Sequence, residues 1–225
     1  MLGESVSRNA LLLGLFAVLC TAIVAGTFLT TGPAISDNIR QAEERALLEI
    51  FPKSQHDNSM LDDAHAVNDS ALLGLRKEKH FYIARMGGTP VGVILPATAR
   101  DGYTGDIDLI VGIRVDGSVA GVRVLSHRET PGLGDTIESK KSGWLKSFTG
   151  KSLLNPTEQY WQVKKDGGVF DQFTGATITP RAATRAVKNA LKYFDANRQD
   201  ILETEAAVQA TGHTTLTPQE ADNHG

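Results

Sequence analysis

Ile107-Asp108-Leu109-Ile110-Val111-Gly112-Ile113-Arg114-Val115 runs into Asp116-Gly117-Ser118, and the chain returns as Val119-Ala120-Gly121-Val122-Arg123-Val124-Leu125. Ile107, Leu109, Val111, Ile113 and Val115 recur at every second position, which places them on one face of a strand. Asp-Gly between two such runs signals a hairpin, because glycine accepts the positive φ that a tight hairpin turn needs. Upstream, Phe81-Tyr82-Ile83-Ala84, a Gly87-Gly88 turn and Pro90-Val91-Gly92-Val93-Ile94-Leu95 predict further strands. Gly102, Gly105 and Gly112 flank or interrupt this sheet and predict close packing or a bulge.

Immediately after the hairpin comes Ser126-His127-Arg128-Glu129-Thr130-Pro131-Gly132-Leu133-Gly134-Asp135. Pro131-Gly132 suits a type II turn. The turn explains the glycines but not the crowding of His127, Glu129 and Thr130. Further on stands Asp171-Gln172-Phe173-Thr174-Gly175-Ala176-Thr177-Ile178-Thr179-Pro180. Thr179 is read as an N-cap and Pro180 as the first helical residue. Ala183, Val187, Leu191 and Phe194 then follow at helical spacing to about Asn197, with a further short helical piece to about Ala207. Thr174 and Thr177 thus precede a helix N-terminus, whose unpaired N–H groups and positive dipole end suit a phosphate. An ordinary capped loop would explain the same residues. Strands followed by this helix give an α+β domain.

Ala10 to Leu29 is almost entirely apolar or small, and no charge lies between Arg8 and Asp37. Twenty such residues match the span of a bilayer. Cleavage after Gly26 as a signal peptide, or lipidation at Cys20, are the rival readings. Leu19 is bulky for a lipoprotein site, and the run exceeds an ordinary signal core. An uncleaved anchor is therefore expected. The division is a short tail over 1–9, a membrane helix over 10–30, a stalk over 31–52, a globular domain over 53–200 and a flexible tail over 201–225. In the stalk, Ser36 would cap a helix from about Asp37 to Phe51, which Pro52 stops. Residues 53–70 read as a polar loop. His56, Asp62, Asp63 and His65 within it are taken as solvated surface rather than metal ligands.

The net charge of −3 gives no basic field for nucleic acid. A single cysteine excludes an intramolecular disulfide and a cysteine-ligated metal or iron–sulfur cluster. No Gly-x-Ser-x-Gly elbow supports a hydrolase built on His127 and Asp171. No glycine fingerprint for a dinucleotide follows a strand. Arg181, in the first helical turn, is placed to reach a phosphate as a charged donor. Arg185 and Lys188 are assigned to solvent, and Trp144 to packing.

Asp171-x-x-Thr174-Gly175-Ala176-Thr177 resembles, at every specified position, the flavinylation motif of the FMN-binding domain family. The resemblance implies that Thr177 carries FMN as a phosphoester made by a separate flavin transferase, with Asp171, Thr174, Gly175 and Ala176 around it. The Glu-Thr-Pro-Gly-Leu-Gly stretch resembles the loop that this family sets beside its flavin. That implies Glu129, Thr130, Gly132, Leu133 and Gly134 shape the ring pocket, with no catalytic or metal-binding residue of the chain's own. Over most of residues 5 to 195 the resemblance is to flavin-bearing subunits of ion-translocating electron-transport complexes. The Rnf type, which links ferredoxin and NAD, is one form, and the sodium-translocating NADH:quinone reductases are the alternative. A single-pass bacterial inner-membrane protein follows, with its FMN domain on the periplasmic side and other subunits as partners.

Overall fold

The computed structural model describes residues 2–204, so the tail expected over 201–225 lies outside the described residues from 205 on, as does the end of the helical piece expected at Ala207, while Ile201 is helical and buried. The chain divides at Glu49/Ile50 into two units.

The first unit is helical. Helix α1 spans Leu2–Ile50 without interruption and is long and apolar enough to cross a membrane. Leu12, Phe16, Leu19, Ile23 and Phe28 are exposed along it. Apolar surface left in water costs about 25 cal/mol per Å², so a hydrocarbon surrounding suits this segment. The sequence predicts a break between anchor and stalk, with Ser36 as a cap, but the helix continues through Gly32-Pro33. Pro33 removes one backbone hydrogen bond at a cost of about 3 kcal/mol. Thr27 and Thr31 also turn their hydroxyls back onto the carbonyls of Ile23 and Thr27, at 2.8 and 2.7 Å.

The second unit is built on a five-stranded antiparallel meander. Its strands are β1 Ala64–Val67, β2 Lys79–Met86, β3 Thr89–Ala99, β4 Ile107–Arg114 and β5 Val119–Ser126, in that order across the sheet. Ile83 faces Val93, Val93 faces Ile113, and Ile113 faces Val119, so the alternating apolar residues share a face. Helix α2, Ile178–Ala196, lays Ala183, Val187, Ala190, Leu191 and Phe194 on that face to form the core. Helix α3, Arg198–Glu203, follows.

On the opposite face Gly112 meets Ile50, where an added Cβ would stand 2.1 Å from Ile50 Cγ2. The β4–β5 register also shifts between Gly112 and Ile113. Close packing and a bulge, the two readings of this glycine, are both present.

Strand β1 lies within the segment expected to be a polar loop. Its four residues add an edge strand to β2, which four polar-flanked positions are too few to announce. His56 and Asp63 are correspondingly buried rather than solvated. Asp63 accepts from Arg85 Nε at 2.6 Å and meets His65 Nε2 at 2.7 Å. A buried carboxylate needs such partners.

Between β5 and α2 the chain forms short helical turns around an aromatic cluster. Phe148 and Phe170 lie 4.5 Å apart between centroids, and Trp144 meets Phe173 edge-on at 5.1 Å. Trp144 Nε1 also donates to the Asp171 carbonyl at 2.8 Å, tying the 171–177 loop to the core. The packing role expected of Trp144 is the one it has.

Candidate functional site

A cavity of about 240 Å³ opens at one end of the sheet, lined by Tyr103, Glu129, Thr130, Leu133, Gly134, Gly175, Ala176, Thr177, Ile178 and Thr179. The loop after β5 and the loop before α2, some forty residues apart in sequence, form its walls. The β3–β4 loop contributes Tyr103.

In the first wall, Leu133 N–H donates to the Thr130 carbonyl at 3.1 Å and Gly132 has φ +78°, the type II turn expected of Thr130-Pro131-Gly132-Leu133. Gly134 is required by close approach. A Cβ there would lie 2.7 Å from Thr179 Oγ1 and 2.9 Å from Glu129 Cβ.

Glu129 is buried, and its carboxylate joins three segments. Oε1 accepts from Thr104 N–H at 3.0 Å and from the Thr104 hydroxyl at 3.1 Å, while Oε2 accepts from Tyr103 N–H at 3.3 Å. The Thr179 hydroxyl donates to Oε2 as well. Burial pushes this carboxyl's pKa up. The hydrogen bonds from Thr104 N–H, the Thr179 hydroxyl, Tyr103 N–H and the Thr104 hydroxyl outweigh it and hold the pKa below the ordinary glutamate value.

In the second wall the helix begins two residues earlier than expected. Thr177, not Thr179, is the N-cap of α2, with Ile178 the first helical residue. Thr179 cannot cap because its hydroxyl is committed to Glu129. Thr177 makes no side-chain capping bond, so its hydroxyl is left half-buried on the cavity wall. The N–H groups of the first helical turn have no intrahelical acceptor and add a positive dipole end.

Other expected site residues fall elsewhere. Asp171, Thr174 and Gly132 do not line the cavity and are exposed. Asp171 pairs instead with Lys164 at 2.5 Å. Arg181 does not face this cavity. Its guanidinium makes a bidentate pair with Asp166, at 2.6 and 2.5 Å, on a separate cleft with Arg185 and Lys188. The Asp166 carboxylate holds it there. His127 accepts from Glu129 N–H through Nδ1 at 3.1 Å and faces Glu138 through Nε2 at 3.2 Å. It is a hydrogen-bonded loop residue, and it is not joined to Asp171 as a hydrolase would need.

Tyr103, Ile178 and Thr179 are not legible in the sequence as parts of the site. The first sits between two glycines in a loop with no pattern of its own. At the mouth Tyr103, Leu133 and Ile178 remain 65, 41 and 44% exposed. A flat, largely apolar group carrying a phosphate fits this arrangement. The three side chains offer apolar flanks, and the start of α2 offers N–H groups beside a free hydroxyl.

Residues 102–192, which include every lining residue, match the model of the FMN-binding domain, and residues 1–50 match that of the RnfG N-terminal region. The G component of the ion-translocating oxidoreductase complex of Pseudomonas aeruginosa (strain UCBPP-PA14) is 51% identical over 210 residues, covering 93% of this chain and 97% of that one. The chain belongs to the RnfG family of ion-translocating oxidoreductase complexes. Its counterparts in Shewanella loihica and Vibrio cholerae are 48 and 43% identical, over 90 and 88% of this chain and 96 and 94% of theirs. These relatives agree with the Rnf-type reading of the resemblance rather than the quinone-reductase one. The RnfG N-terminal match is nearly coextensive with α1, so the family includes the apolar helix as well as the domain.

Proposed function

We propose that this chain is a membrane-anchored electron carrier whose FMN is esterified through its phosphate to the Thr177 hydroxyl. The observation that carries the reading is that Thr177 stands uncapped at the start of α2, on a cavity whose other wall is the Glu129–Gly134 loop. When bound, FMN supplies one-electron chemistry, and the protein supplies position and electrostatics. Thr177 Oγ1 would hold the phosphate as an ester, formed with net loss of one water, the first N–H groups of α2 would meet its remaining charge, and Leu133 and Ile178 would flank the ring.

The bond needs a separate flavin transferase. Tyr103 and Glu129 are the titratable side chains lining the cavity among the described residues, and Glu129 already accepts from four donors. Thr177 is therefore offered no base for activating its hydroxyl. A covalent link prevents loss of the cofactor into a dilute compartment, and α1 holds it near membrane partners. Those partners are the other subunits of the complex, which pass electrons between ferredoxin- or NAD-linked carriers and the membrane. The domain lies on the periplasmic side of the bacterial inner membrane. The ion path belongs to other subunits, because the anchor has no charged residue between Arg8 and Asp37.

Intact mass and peptide mapping after co-expression with a flavin transferase test this. The expected result is the mass of FMN less one water on the peptide containing Thr177. An unmodified chain, beside a control protein that the same transferase does modify, would remove the proposal.

A further inference from the structure

The β3–β4 loop, residues 100–106, is fastened at three points. Asp101 pairs with Arg185 of α2, and Asp106 forms a two-bond pair with Arg76, at 2.9 and 3.2 Å. At the centre, Tyr103 N–H and Thr104 N–H both donate to Glu129, and the Thr104 hydroxyl donates to Glu129 and to the Arg128 carbonyl. Gly102 and Gly105 have no side chain to fasten. The Tyr103 side chain makes no hydrogen bond or ion pair among the described residues. Its ring is 65% exposed at the cavity mouth.

With the backbone pinned, the ring can move only by rotation about its own side-chain bonds. An aromatic ring held in water leaves apolar area unburied, whereas a ring held ready for a partner loses little entropy when the partner arrives. Leu133 and Ile178, exposed on the two other walls, complete the apolar mouth. The buried Glu129 explains how the presentation is enforced. The same carboxylate fixes the Tyr103 backbone and, through the Thr179 hydroxyl, the start of the helix that follows Thr177. The helix start and the backbone that carries the aromatic ring are therefore held in register by one residue.

Resting on the FMN reading above, we infer that Tyr103 is the residue that covers the flavin ring: it packs against one face of the isoalloxazine and limits solvent access there. Glu129 is the positioning residue behind it.

The full chain is produced in detergent with a flavin transferase, and the loading of each variant is measured by intact mass. Emission per attached flavin and quenching by iodide are then compared for wild type, Tyr103→Phe and Tyr103→Leu. Tyrosine in contact with an oxidised flavin quenches its emission by lending an electron to the excited ring and taking it back. Phenylalanine is too hard to oxidise to do this. Tyr103→Phe is expected to brighten the flavin several-fold with the iodide quenching constant, taken per unit of fluorescence lifetime, unchanged. Tyr103→Leu is expected to brighten it similarly and raise that constant several-fold. The exposed, unbonded side chain makes a folding defect easy to separate, since thermal unfolding of the flavin-free chain should not move. Emission and iodide quenching equal to wild type in both variants would overturn the inference while leaving covalent FMN standing. A wild type without attached flavin would overturn the function itself, and the inference with it.

Discussion

Glu129 has its place in the molecule through four donors rather than through the cavity it borders. Its folded pKa lies below the ordinary 4.5, so the stability it contributes is present above that pH and is lost as pH falls through the lower folded value. Glu129→Gln turns an acceptor oxygen into a donor facing donors, at about 1–3 kcal/mol. In thermal unfolding of the full chain in detergent, the variant should melt below wild type at neutral pH, and the gap should narrow below pH 4.5. A gap independent of pH would mean that the carboxylate charge is not what matters. Gly134→Ala forces a methyl against Glu129 and Thr179 and should destabilise by about 1–3 kcal/mol. Thr177→Val removes the hydroxyl that an ester requires. It should abolish covalent flavin with an unchanged circular dichroism spectrum, and retained FMN would place the bond elsewhere. Thr174→Ala, at an exposed position off the cavity wall, should reduce attachment less.

At the scale of elements, α1 and the strands follow different rules. Helix α1 is legible because its environment is uniform: one long apolar run without charge leaves the backbone only internal partners. Its continuity through Pro33 was not legible, since a proline with a capping serine three residues on is an ordinary sign of a break in water. A chain beginning at residue 37 should be soluble without detergent, while the full chain should stay with membranes after alkaline extraction. Insolubility of the shortened chain would show that the apolar segment is not the cause. Strands β2 to β5 lie where alternation and the Gly87-Gly88 and Asp116-Gly117 turns put them. The edge strand β1 did not announce itself, because its stability comes from β2 and from the Asp63–Arg85 pair. Gly112→Val sets a branched side chain 2.1 Å from Ile50 Cγ2 and should cost at least as much as the Gly134 change, read from the unfolding midpoint.

In the whole molecule, the cavity exists because the sheet brings the end of β5 and the start of α2 together. Protease added to the periplasmic face of spheroplasts should digest the domain, and protection there would reverse the proposed orientation. The sequence by itself determined the apolar helix, the antiparallel hairpins, the amphipathic α2 and the two glycine-bearing loops. Each follows from local periodicity, turn chemistry or composition, which neighbouring residues settle among themselves. Only the tertiary structure decided that the two loops face one cavity, that Thr177 rather than Thr179 begins α2, and that Tyr103 stands at the mouth while Arg181 turns away. Arg181 follows Asp166; the other outcomes depend on a buried carboxylate that had to find its donors. Its partners Tyr103, Thr104 and Thr179 lie twenty-five to fifty residues away. A buried charge selects partners by proximity in the folded chain, and no local pattern records which ones will arrive.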